Sequence, residues 1–169
     1  MAMDIVAFYR EAARDSRGRS IATIWAYDHA HLEATHDYIQ ELFPLPEPSA
    51  FVADAPLLGP RDILEFKQDA DLRARLRKSL DIMLHFYGFA RDANDAIIPG
   101  PDFGVCADNW LSSHNHNFRR ITRMLRCLTL CGMHDQAVAF LTALLALPPD
   151  QRNIIGQETI NYWRRAAQP

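Results

Sequence analysis

Ala70-Asp71-Leu72-Arg73-Ala74-Arg75-Leu76-Arg77-Lys78-Ser79-Leu80-Asp81-Ile82-Met83-Leu84-His85-Phe86-Tyr87-Gly88 is the stretch whose pattern sets the fold class. Leu72, Leu76, Leu80, Met83, Leu84 and Tyr87 recur three and four residues apart, the spacing of one face of an α-helix. Half of the ten positions between them are charged, and Gly88 is the residue type that ends a helix in the left-handed conformation at C′. The spacing therefore predicts a helix from Asp69 or Ala70 to Tyr87.

The same period extends in both directions. Upstream, Asp4 reads as the N-cap of a helix to about Arg14, with Ile5, Phe8, Tyr9 and Ala12 on one face. Ser20 caps a short helix through Trp25. Asp28 caps one to Leu42-Phe43, with Leu32, Thr35, Ile39, Leu42 and Phe43 as its apolar stripe and Glu33, Asp37 and Glu41 on the opposite face. Gly59-Pro60 opens a short helix at about Arg61. Downstream, Phe118 to Cys131 is helical, Gly132 breaks it, and His134 to Leu147 returns as the second arm of a helical hairpin. Gln157 to Ala166, carrying Ile160, Tyr162 and Trp163, closes the chain as an amphipathic helix. No segment alternates in the manner of a strand. The expectation is an all-α fold: a single compact domain over residues 1–169 with about seven or eight helices.

Two segments interrupt the period. Between residues 44 and 60 lie Pro44, Pro46, Pro48, Pro56 and Pro60, half of the 10 prolines, so this stretch is expected to be a stiff, extended connector. Residues 89 to about 116 contain Pro99-Gly100-Pro101, Gly104 and the polar run Ser112 to Asn117, and are expected to form one long loop.

Composition limits the functional classes. The 169 residues are 49% hydrophobic, enough for a core, and 18 basic against 21 acidic residues give a net charge of −3. That balance argues against a partner bound chiefly through its phosphates, whether nucleic acid or anionic membrane. The longest apolar run, Ala137 to Leu147, is too short for the roughly 20 residues of a membrane span. The first residues hold no apolar signal core. Cys106, Cys127 and Cys131 follow no zinc-binding spacing and read as reduced thiols, which suggests the cytoplasm.

Seven histidines are the first place to look for chemistry. Glu33-x-x-His36 matches half of a di-iron helical element, but no second Glu-x-x-His exists to complete it. His36-Asp37 and His134-Asp135 suggest an alternative, a metal-dependent hydrolase of the all-helical kind, in which His36 and Asp37 would be joined by His114 or His116. No glycine-rich phosphate loop or nucleophile signature is present, and no cofactor is implied. A stronger constellation begins the helix near residue 117. His116, Arg120, Arg123 and Cys127 share one stripe, placed by the helical wheel opposite Phe118, Ile121, Leu125 and Leu128. This stripe is either a solvated charged face or an anion site, where free N–H groups at a helix start meet two guanidinium groups and an imidazole. Trp110 and Phe103 would supply apolar contact. A third possibility is a structural role, with Trp25, Tyr27, Tyr162 and Trp163 as candidates for a dimer face.

Two runs carry a resemblance. His36-Asp37-Tyr38-Ile39-Gln40-Glu41-Leu42-Phe43-Pro44-Leu45-Pro46-Glu47-Pro48 and His116-Asn117-Phe118-Arg119-Arg120-Ile121-Thr122-Arg123-Met124-Leu125 resemble the conserved region of the opioid growth factor receptor family. Phe66 to Gly88, ending Met83-Leu84-x-Phe86-Tyr87-Gly88, fits between them, so the resemblance spans about residues 20–135. Glu41 stands where the pattern has tryptophan, and Arg119 where it has an aliphatic residue. The resemblance implies a short, stand-alone member with a helical domain that recognises an enkephalin-type peptide and does not catalyse a reaction. The combined expectation is a receptor-like binding module for a small peptide or anionic metabolite. Its candidate ligand residues are His36, Gln40, Trp110, His116, Asn117, Arg120 and Arg123.

Overall fold

Helix α6, Ala70–Tyr87, forms as its spacing requires, and all six residues of its predicted apolar face are buried. It ends where Gly88 takes φ +89, in the left-handed region. The computed structural model describes residues 3–169. The chain divides into two compact units, Met1–Ser79 and Leu80–Pro169, and α6 carries it from one into the other.

The first unit holds α1 (Ile5–Tyr9), α2 (Ile21–Trp25), α3 (His29–Ala34), α4 (Ile39–Leu42) and α5 (Pro60–Gln68), followed by the first half of α6. Asp4, Ser20 and Asp28 cap their helices as expected, each accepting a backbone N–H from the first turn. Helix α1 stops at Tyr9 and not near Arg14, because Glu11 turns to φ +61, and Ala12 is exposed. Tyr9 lies at the centre. Its ring meets Phe66 edge-on at 5.2 Å, its hydroxyl donates to the Leu42 carbonyl, and the same oxygen lies 3.2 Å from Ser79 Oγ.

The single helix expected from Asp28 to Phe43 is two short ones. Thr35, a β-branched residue, is extended at φ −96, ψ 125 and ends α3. Asp37 in the link is held by Arg17 and Arg19, and α4 starts in a new phase. A wheel drawn through the break misplaces the residues of α4. Glu41, expected on the solvent face, is 3% exposed.

The proline-rich segment is non-helical, as its prolines require, but it is not extended. Leu45 and Leu57 form a parallel bridge, and Leu58 N–H donates to the Leu45 carbonyl at 3.0 Å, so residues 45–57 close on themselves. Phe51 is 70% exposed within this loop.

The second unit begins with the end of α6. The stretch expected as a long loop is then largely ordered into elements: strands β1 (Phe89–Arg91) and β2 (Ile97–Pro99) pair antiparallel, Phe89 opposite Pro99 and Arg91 opposite Ile97, and α7 spans Phe103–Trp110. Three-residue strands are too short to show alternation, and Pro99 masks the second. The turn is set by Asp92, whose Oδ1 accepts from the N–H of Asn94 at 2.8 Å and Ala96 at 2.9 Å. Helices α8 (Asn117–Leu130), α9 (His134–Leu145), α10 (Pro149–Ile155) and α11 (Gln157–Ala166) follow, with α8 packed against both α9 and α11. Pro149 begins α10 as its first residue, where its missing N–H costs nothing. The described residues thus form eleven helices and one small sheet, an all-α fold.

Gly88 has no room for a side chain. A Cβ there would come within 2.7 Å of Phe103 Cα and 2.9 Å of Cys106 Cβ, and a side chain would also be strained by the positive φ. Gly88→Ala should lose about 2–3 kcal/mol, from left-handed strain and forced displacement of α7. Urea denaturation followed by circular dichroism measures this directly; an unchanged midpoint would show that α7 yields freely.

Candidate functional site

The start of α8 has the residues of an anion site, but its donors are already used. Asn115 Oδ1 accepts from Asn117 N–H at 2.9 Å, Phe118 N–H donates to the Asn115 carbonyl at 3.1 Å, and Arg119 N–H donates to the His116 carbonyl at 3.2 Å. The orphan N–H groups that make helix starts attractive to anions are satisfied by a tight turn. Asn115 is itself fixed by donating to Asn109 O and Ser112 Oγ.

The stripe expected to face away from the core is mostly inside it. Arg120 is 5% exposed and Cys127 1%, while Arg123 is half-buried and only His116 is exposed. The cause is two-sided packing: a helix covered by α9 and α11 buries two faces, so the wheel's single apolar stripe underestimates its interior. Arg120 Nη1 donates to Asn117 Oδ1, which also accepts from the Tyr87 hydroxyl, both at 3.3 Å. Trp110 is the last residue of α7 and is fully buried, its Nε1–H donating to the Tyr87 carbonyl at 3.0 Å. Asn117, Arg120 and Trp110 therefore sit in the interior of the second unit, where they hold its elements together.

His36 and Gln40 belong to the first unit. His36 is exposed in the link between α3 and α4, whereas Gln40 is buried in α4. Among the described residues, no three His, Cys, Asp or Glu side chains gather as a metal-binding set. The three cysteines are free and buried, and burial raises the Cys127 thiol well above its usual range, with Cys131 adding to the effect. No helix among the described residues is long and apolar enough to cross a membrane.

The first unit contains a cavity of about 570 Å³ between α1, α2 and α6. This is within the usual size range of small-ligand sites. Asp71, Ala74, Arg75 and Lys78 line it at helical positions i, i+3, i+4 and i+7 of α6, and Trp25 of α2 forms its aromatic wall. Trp25 is fixed by its Nε1–H donating to the buried Ser79 Oγ at 2.9 Å, and Lys78 Nζ lies 4.2 Å from the ring centroid.

Charge in the cavity is partly committed. Arg10 donates to Asp69 at 2.9 Å, and Arg75 to Glu11 at 2.7 Å. The hydrogen bond from Arg10 is the main reason that the Asp69 carboxyl is held below its usual range. Asp71 and Lys78 enter no ion pair among the described residues. Asp71 and Lys78 thus stand at opposite ends of the α6 wall, their Cα atoms about 10 Å apart along the helix axis. The sequence holds a signal for this face, the polar i, i+3, i+4, i+7 series, but only the fold brings Trp25 and α1 against it.

Comparison with known proteins gives a consistent result. Residues 6–168 match the family described as the "Opioid growth factor receptor (OGFr) conserved region". The opioid growth factor receptor of Rattus norvegicus is 38% identical over 116 residues, covering 67% of this chain and 20% of that protein. That of Mus musculus is 39% identical over 116 residues, covering 67% and 18%. Opioid growth factor receptor-like protein 1 of Xenopus tropicalis is 35% identical over 115 residues, covering 66% and 22%. The chain spans about a fifth of the length of these relatives. No solved structure matches it. With its match running almost from end to end, the chain belongs to the opioid growth factor receptor conserved-region family.

Proposed function

We propose that this chain is a receptor-like binding module whose ligand is a short peptide with free termini, held in the α1/α2/α6 cavity of the first unit. The carrying observation is the pair of opposite charges at Asp71 and Lys78, neither of them in an ion pair among the described residues, with the Lys78 ammonium over the ring of Trp25. An extended tripeptide spans about 10 Å, which suits an ammonium at Asp71 and a carboxylate at Lys78. Trp25 then offers a flat apolar face to a side chain between them. The relatives' name, receptor of an opioid growth factor, agrees with a peptide ligand. The start of α8 is the weaker candidate, because its N–H groups and Arg120 are occupied inside the second unit.

The test is calorimetric titration with tri- to pentapeptides carrying one aromatic residue, free or blocked at each end. Acetylating the amine or amidating the carboxylate should each weaken binding about tenfold, the size of one charge-assisted contact. Lys78→Ala should reproduce the effect of amidation and Asp71→Ala that of acetylation; both residues are exposed, so folding should be preserved. Trp25→Ala should abolish measurable heat. Equal affinity for free and blocked peptides, or no heat with any of them, would overturn the assignment.

A further inference from the structure

Around α4, the first unit buries an ionic cluster with one carboxyl too many. Asp15, whose side chain is fully buried, accepts from the backbone N–H of Arg17 at 3.0 Å and of Arg19 at 2.7 Å, and from Arg19 Nε at 2.5 Å. Asp37 accepts from Arg19 Nη1 at 2.8 Å and is also paired with Arg17. Two carboxylates and two guanidinium groups cancel. Glu41 is the additional acid, 3% exposed, with no hydrogen-bond partner for Oε2 among the described residues; Arg19 Nη2 beside the cluster is likewise unbonded.

The groups that face Glu41 come from three directions: Asp15 and Arg19 from the turn after α1, Asp37 from the link before α4, and Asp54 from the 45–57 loop. Burial and the three aspartates oppose its ionisation, and Arg19 favours it. The balance pushes its carboxyl up to about 7, burial being the largest cause and Asp15 the next.

Helix α4 is a single turn, so it has no stability of its own and stays in place by what it buries. Ile39, Leu42 and Phe43 supply that burial, and Leu45 follows at once as the hinge of the closed loop. We propose that Glu41 is a proton-operated latch on residues 39–58: the neutral acid lets α4 seat in the first unit, and ionisation loosens α4 and the attached loop, raising the frequency with which they open. The folded state holds this proton more tightly than the opened chain, whose Glu41 returns to the ordinary 4.5. The contribution is therefore complete below about pH 4.5 and is lost as the pH rises towards 7.

Native-state hydrogen exchange on the full chain tests the latch. From pH 5.5 to 8, after correction for intrinsic rates, the opening constant for amides such as Phe43 and Leu58 should increase roughly 10- to 30-fold. Glu41→Gln should remove that slope. Because this variant could fail to fold, two measurements stand beside it. Carbon NMR of the wild-type Glu41 carboxyl should show it still protonated at pH 5.5, and Asp54→Asn, at an exposed position, should move its midpoint to lower pH. A wild-type opening constant independent of pH, an equal slope in Glu41→Gln, or a carboxyl already ionised at pH 5.5 would each overturn the proposal.

Discussion

Trp110→Ala should unfold the second unit's interior, costing about 4 kcal/mol and lowering the melting temperature by roughly 10 °C. The indole is completely buried. It meets Tyr87 edge-on at 5.4 Å and lies 6.3 Å from Phe89 and 6.4 Å from Phe103, ring centre to ring centre. Truncation removes these contacts, opens a cavity where α7 closes over the hairpin, and strips the Tyr87 carbonyl of its donor. Trp110→Phe separates the causes. It keeps most of the packing but not the N–H, so its loss should be nearer the 1–3 kcal/mol of one buried acceptor left unbonded. The same pair distinguishes a core residue from a ligand wall: a wall residue would lose binding with little loss of stability, whereas Trp110 should do the reverse. Chemical denaturation and peptide titration on both variants decide between these outcomes.

That contrast shows which features the residue pattern could carry. Helices α6 and α11 are legible almost to the residue because each has one apolar stripe and a clear terminal signal, such as Gly88. Helix α8 is legible as a helix but not as an interior one. Its second buried face is polar in sequence and becomes core only because α9 and α11 cover both sides. Phase is lost at Thr35 for a related reason: a wheel assumes an unbroken helix, and the ion pairs of Asp37 stabilise the break from positions 18 and 20 residues earlier. The cavity is least legible of all. Its charged wall is a regular series on α6, but what makes it concave comes from residues 10, 11 and 25, and distance in sequence hides that.

Arg19→Ala should be as damaging to the first unit as Trp110→Ala is to the second, and its cost should depend on pH. Arg19 bridges Asp15 and Asp37, and although burial works against its charge, the hydrogen bonds to Asp37 and Asp15 outweigh this and hold it firmly protonated. Removing one partner of a buried pair leaves the others uncompensated, typically at about 3–5 kcal/mol. Without the guanidinium, Asp15 and Asp37 lose their shared countercharge, and Glu41 loses the one neighbour that favours its ionisation, so the folded variant holds the Glu41 proton still more tightly. The loss in Arg19→Ala should therefore be larger above pH 7, where wild-type Glu41 ionises with the help of Arg19, than near pH 4.5, where Glu41 keeps its proton in both folded proteins. Arg19→Met combined with Asp15→Asn should recover much of the stability, because both members of the pair become neutral together. Urea denaturation of the three proteins at pH 4.5 and 8 gives the comparison. A cost for Arg19→Ala that is the same at both values would mean that the cluster contributes packing alone, and that its charges are already balanced by water.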